Sequence, residues 1–199
     1  MAETGTETGM DGIERLAARL SVESGRRYPP VEKWNPAHEG TVDIRIAADG
    51  TWYHEGEPIR RANMVRLFST VLRRDADGHH YLVTPVEKMR ITVDVAPLHV
   101  VDLQREGEGE AQTIAFRTMT DDLVVLDADH PLGVTVDPAT GEPTPLVLVR
   151  GRLQALLSRP VYYDLVELAE VRHLAQGEVL GVMSAGQFHV IGRTDGTPL

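Results

Sequence analysis

Several charged side chains in this 199-residue chain are spaced so that they could grip an anion. Glu87 and Lys88 follow Thr84-Pro85 directly. A lysine beside a glutamate offers a cation and an acceptor to a phosphate or a ribose. The competing reading is a surface pair after a strand, which contributes little. Arg150 and Arg152 lie two apart in an apolar stretch read as one strand, so both are expected on one face. Two guanidiniums there could hold a carboxylate or phosphate in bidentate fashion, or each could pair with an acid on a neighbouring strand. Arg60 and Arg61 precede a predicted helix, where basic residues oppose the macrodipole. That points to an anionic partner or an internal carboxylate, set against a plain solvated face. Tyr163 follows Tyr162, whose place in the apolar stripe leaves Tyr163 to point elsewhere and stack on a base; the alternative is core packing with one hydroxyl at the surface. Lys88, Glu87, Arg150, Arg152, Tyr163 and Arg61 are the expected ligand-binding set. Lys88, Arg150 and Tyr163 are expected to line a cleft between two lobes.

Signals for catalysis are weaker, and no catalytic residue is assigned. Ser184 stands in Met183-Ser184-Ala185-Gly186, without the Gly-x-Ser-x-Gly elbow of a nucleophile. Asp121, Asp122, Asp127, Asp129 and His130 supply oxygen and nitrogen ligands close in sequence, but their spacing matches no calcium loop. Asp129-His130-Pro131 reads better as a turn. His79 and His80 are adjacent on a strand and point oppositely. There is no phosphate-cradling glycine loop. Neither a metal nor a cofactor is expected.

The elements that position these residues follow from composition and pattern. The hydrophobic fraction of 42% is enough for a real core. There is no cysteine, which removes disulfides and thiolate chemistry. The formal charge is −10, and residues 105–199 hold most of the acidic excess. A phosphate backbone would be repelled there, so no nucleic-acid polymer is expected as partner. No apolar run approaches the roughly 20 residues of a membrane helix, and no secretory signal is read, so the expected location is the cytoplasm.

Residues 1–40 read as a tail, a short helix over 11–24 and a proline-bearing linker. A first α+β subdomain spans 41–104, with a helix over 62–73 and strands at 80–84, 90–95 and 98–103. Arg105-Glu-Gly-Glu-Gly-Glu-Ala111 breaks every pattern and is read as a linker over 105–111. The second subdomain, 112–199, is expected to have a strand over 145–157, a helix over 160–173 and a closing hairpin from Gly177 to Arg193. Gly50-Thr-Trp52 with Gly56 echoes Gly181-Val-Met183 with Gly186, which suggests duplication, although short hairpins resemble one another because tight turns need glycine. The fold class is α+β: duplicated, mostly antiparallel units, each with one main helix. Trp52, Phe68, Tyr81, Phe116 and Phe188 are the expected large core residues.

The order Gly50-x-Trp52-x-x-x-Gly56-x-Pro58-Ile59-x-Arg61, Leu67-Phe68, and Tyr81-Leu82-Val83-Thr84-Pro85-x-Glu87-Lys88 resembles a bacterial family, domain of unknown function 1285. Gln112-Thr113-x-x-Phe116, Asp129-His130-Pro131-Leu132, Val161-Tyr162-Tyr163 and Ser184-x-Gly186-x-Phe188 are similar to its later motifs. The resemblance implies a duplicated core, a pleckstrin-homology-like C-terminal subdomain, and a nucleotide-like ligand in signal transduction. It carries over no catalytic residue. Thr92-Val93-Asp94-Val95 and Ala96-Pro97-Leu98 depart from the family's more acidic strand and its aromatic after the proline.

The expected function is therefore non-enzymatic binding of a small anionic or nucleotide-like ligand, with a signalling protein as partner. The alternatives are a hydrolase or transferase using Asp and His side chains of the C-terminal subdomain, and a protein–protein adaptor.

Overall fold

Alternation of Val42, Ile44 and Ile46 with Asp43 and Arg45 builds strand β1, His38–Ile46, which buries Ile44 and Ile46. The structure is a computed structural model that describes residues 28–175 and 177–194. The expected tail and the 11–24 helix lie outside the described residues, as does the start of the linker before residue 28. The chain divides into two units: one holds residues up to Arg45 and Thr51–Thr92, the other Ile46–Gly50 and Val93 onward.

In the first unit, β2 (Trp52–His54) and β3 (Glu57–Pro58) form a hairpin. Its turn residues Glu55 and Gly56 have φ of 50° and 82°, the two positive values a type I′ turn requires. Helix α1, Ala62–Thr70, buries Phe68, whose ring stacks on Trp52 with centroids 6.3 Å apart. The helix ends earlier than its periodicity predicts. Val71 N–H closes the last turn on Phe68 and Ser69 carbonyls, while Val71 O accepts Val83 N–H. Residues 72–74 are thus strand β4 (Leu72–Arg74), paired with β5 (His80–Val83). With β6 (Glu87–Val93) they complete a sheet of order β3-β2-β1-β6-β5-β4.

The second unit starts its sheet with β7 (Leu98–Glu106), β8 (Thr113–Thr118) and β9 (Leu123–Val125), and continues with β10 (Leu132–Val136), β11 (Pro143–Arg150) and β12 (Leu153–Leu157). The order is β10-β11-β12-β7-β8-β9; β12 runs parallel to β7, and the remaining pairings are antiparallel. Helix α2, Arg159–Glu167, follows, and β13 (Glu170–Leu174), β14 (Gly177–Ser184) and β15 (Gln187–Arg193) form a three-stranded sheet. Ile114, Phe116, Leu126, Val147, Ala155 and Leu165 are fully buried. The β14–β15 turn, Ala185-Gly186, has φ of 49° and 74°, the same type I′ solution as Glu55-Gly56. Among the described residues, both units follow one plan of mostly antiparallel sheet and a single α-helix.

Four expectations need correction. Residues 105–111 are not a linker: Arg105 pairs with Ile114 and Glu106 with Thr113, so the acidic glycine stretch closes the β7–β8 hairpin. Gly and acid mark a solvated turn as well as a solvated linker. The expected 145–157 strand is two strands broken at Gly151-Arg152, where Gly151 has φ of 53°. The 160–173 helix stops at Glu167, because Glu170–Leu174 pairs with β14 instead. Trp52, Phe68, Tyr81 and Phe116 are buried as expected, but Phe188 is half-buried. It lies over Gly181, where an added Cβ would come 2.6 Å from the ring. The Arg172 guanidinium also lies over the ring, 4.2 Å from its centroid.

Candidate functional site

The Thr-Pro-x-Glu-Lys segment is first a turn. Thr84 N–H donates to Glu87 O, and Thr84 Oγ1 accepts from Val86 and Glu87 N–H at 3.3 and 3.1 Å. The turn sets Lys88 on the face of β6 that carries Tyr81 and Arg73 across the ladder. Lys88 Nζ lies 2.8 Å from Glu39 Oε1, 3.4 Å from Asp75 Oδ2 and 4.7 Å from the centre of the Tyr81 ring. The hydrogen bond to Glu39, helped by Asp75, raises the lysine's pKa. Asp75 also takes Arg73 Nε and Nη2 at 2.6 and 3.1 Å. Arg73 Nη1 donates to the carbonyls of Val31 and Trp34 at 2.9 and 2.8 Å. Tyr81 donates its hydroxyl to Asp77 at 2.7 Å. A polar network on one sheet face therefore fastens the Val31–Trp34 segment, and it occupies Lys88 with two carboxylates and an aromatic ring. Glu87 contributes backbone groups to the turn.

Arg61 is the N-cap of α1, with no side-chain cap and no acidic residue in the first turn. Arg60, Arg61, Ala62 and Asn63 are all exposed. The N–H groups of Ala62 and Asn63 have no intrahelical acceptor by the geometry of a helix start.

In the second unit, Arg150 meets Asp122 through Nη1 and Oδ1. The other carboxylate oxygen accepts Thr118 and Thr120 hydroxyls at 2.9 and 2.7 Å. Thr118 and Asp122 are buried, so this guanidinium neutralises an internal charge. Arg152 is exposed in the turn and does not share a strand face with Arg150, which corrects the expected Arg150–Arg152 grip. Tyr163 is 61% exposed on α2, whereas Val161 and Leu165 face inward. Its neighbour Tyr162 has its pKa raised by burial.

Residues that the sequence marked as motifs or turns carry much of the internal polar chemistry. Gln112 Nε2 donates to Met183 O at 2.7 Å, Ala185 N–H donates to Gln112 O, and Ile114 N–H donates to Ser184 Oγ at 2.9 Å. The Gln112 and Ser184 motifs thus tie the β14–β15 turn to the start of β8, and Ser184 is fully buried. Asp127 Oδ1 accepts the N–H groups of Asp129 and His130, and lies 2.9 Å from His130 Nδ1, the expected turn. His99 Nε2 lies 3.0 Å from Ala48 O, and burial lowers its pKa. Gly50, at φ of 86°, sits so close that an added Cβ would come 2.9 Å from His99 Nδ1 and Met119 Sδ. A signal for Arg73 was present in Val71-Leu72-Arg73-Arg74-Asp75: a guanidinium leaving an apolar run, with a carboxylate two residues on. No such signal marks His99, whose partner lies 51 residues away, and the Ser184 motif does not reveal its partner 70 residues away.

Among the described residues, no group of three or more His, Asp or Glu side chains is placed to hold a metal ion. No helix in them is long and apolar enough to cross a membrane.

Comparison with known proteins gives one consistent result. Residues 29–96 match the N-terminal domain of a domain of unknown function, DUF1285, and residues 97–191 match the C-terminal domain of the same family. No functionally curated protein matches. A DUF1285 family protein from Silicibacter pomeroyi DSS-3 is 41% identical with a TM-score of 0.82, covering 90% of this chain and 96% of its own. A DUF1285 family protein from Shewanella baltica OS155 is 26% identical with a TM-score of 0.50, covering 62% of this chain and 90% of its own. The turns, clasps and buried ties described above lie in the two segments so matched, and the chain belongs to the DUF1285 family.

Proposed function

We propose that this chain is a non-enzymatic binding protein of the cytoplasm that takes up a small anionic, nucleotide-like ligand and acts in signal transduction. The observation that carries this reading is the start of α1. Two successive arginines stand where acids are the norm, beside backbone N–H groups that the side chain at the N-cap position does not cap. An anion seated there would meet the positive end of the helix dipole and the Arg60 guanidinium together. Lys88 and Arg150 are less apt as ligand contacts than their sequence context implies, because each already faces carboxylates. The same reading gives the second unit a pleckstrin-homology-like plan, supported by a mostly antiparallel sheet followed by a helix; the parallel β7–β12 pairing departs from that plan.

Isothermal titration of the full chain with inorganic pyrophosphate, then with purine nucleotides, tests the proposal. Saturable binding is expected. It should weaken in Arg60→Ala and fall as salt rises, since exposed charges are screened over about 10 Å at 0.1 M. Absence of heat and of any thermal shift with either class of anion refutes it, as does unchanged binding in Arg60→Ala.

A hydrolase or transferase is the second reading, favoured by the Asp127–His130 pair, which orients an imidazole as a general base requires. Asp127 also serves two turn N–H groups, which explains the pair without chemistry.

A further inference from the structure

Strand β9 ends the six-stranded sheet of the second unit. Thr118 N–H donates to Asp122 O at 3.0 Å, and Leu126 N–H donates to Ile114 O at 2.9 Å, with Val124 opposite Phe116 between them. Hydrogen bonds of an antiparallel strand alternate in direction. The groups of Val124 therefore face β8, and the N–H and C=O of Leu123 and Val125 face outward. Leu123 is 64% exposed and Val125 38%. Lysine and proline, which often protect edge strands, are missing from Leu123-Val124-Val125, and the strand's short length is its protective device. Acids stand at both ends instead: Asp121 before the strand, Asp127 and Asp129 after it. The side chains of Asp121 and Asp127 are 44% and 32% exposed.

This charge pattern selects the occupant. Two copies of β9 paired antiparallel about Val124 would set each Asp121 against an Asp127, and like charges directly opposite are destabilising. An extended strand with apolar residues in alternation and a cation at each end meets an acid at each end instead, although Arg117 Nη1 already lies 3.8 Å from Asp121 Oδ1. We propose that β9 docks a β-strand of a partner protein whose apolar core is flanked by lysine or arginine. Main-chain bonds to Leu123 and Val125 supply register, their side chains supply an apolar seat, and the terminal acids discriminate by charge. This surface is independent of the anion site at α1.

The test uses the full chain, uniformly labelled with ¹⁵N, and a synthetic heptapeptide of alternating valine and threonine between terminal lysines. The amides of Leu123 and Val125 should shift and become protected from exchange, more than that of Val124, which already bonds to β8. The same peptide flanked by glutamates should bind about tenfold more weakly or worse. Val125→Pro removes an outward donor while sparing the bonds to β8, and should cut binding by about tenfold. Leu123→Arg, on the solvent face, should do the same by opposing the terminal lysines. Failure of the lysine peptide to bind, shifts away from β9, or equal binding of the two peptides overturns the proposal. So does a concentration-dependent dimer that Val125→Pro abolishes, since the occupant would then be a second copy.

Discussion

Arg150→Ala distinguishes an internal counter-ion from a ligand contact. Asp122 has only 4% of its side chain exposed, and Arg150 has 22%. Removing one partner of a buried pair costs about 3–5 kcal/mol, because the other charge stays in place without compensation. Two features reduce that here. Thr118 and Thr120 still serve one carboxylate oxygen, and the space vacated by a partly exposed arginine admits water to the other. A loss of about 2–3 kcal/mol is expected. For a chain of this length that lowers the midpoint of the affected transition by about 5–10 °C. Scanning calorimetry measures it, with urea unfolding as a check. The double substitution Arg150→Met with Asp122→Asn should recover most of the loss, since both charges then leave together. A midpoint unchanged in Arg150→Ala would refute the counter-ion reasoning. Weaker anion binding at that unchanged midpoint would restore Arg150 as a ligand contact.

Phe68→Ala removes a fully buried ring that stacks on Trp52, and should cost about 3–5 kcal/mol in urea unfolding; an unchanged midpoint would place the ring outside the core. The pKa of His80 is pushed down to about 4, first by burial and then by the charges of Arg74 and His79. Its neutral form is favoured in the fold, so its contribution is fully present above about pH 6.5 and is lost as pH falls from there toward 4. Imidazole titration by NMR should give a midpoint near 4, and His80→Gln should flatten that part of the stability profile; titration near the ordinary value would contradict the half-buried placement beside Arg74 and His79.

The β-rich plan was legible wherever one face of an element is buried. Alternation located β1, and helical spacing with Phe68 inward located α1. Ends were legible less often. Periodicity continued past Val71 and past Glu167, but in both places the backbone found a strand partner, and pairing overrode propensity. The acidic glycine stretch before residue 112 signals solvation, which a hairpin turn and a linker share. For the charged residues, sequence showed which positions are unusual and not who neutralises them. The expected acid partner of Arg150 is Asp122, 28 residues away, and those of Lys88 are Asp75, 13 away, and Glu39 on another strand. Pairing across strands depends on register, and register is set by turns that a single sequence does not rank.

The turn at Ala47–Gly50 bears on how the molecule can be divided. By sequence the family splits near residue 96, yet Ile46–Gly50 clusters with the later half. A fragment expressed from residue 97 would keep the His99 imidazole and lose both the Ala48 carbonyl it meets and the glycine packed against its ring. A buried ring N–H without an acceptor costs about 1–3 kcal/mol, a large share of the margin of a domain this small. A transplantable second half would therefore need residues 46–50 grafted onto it. The boundary left by an ancestral duplication is no longer a cleavage point, because a loop from one repeat has become an internal part of the other.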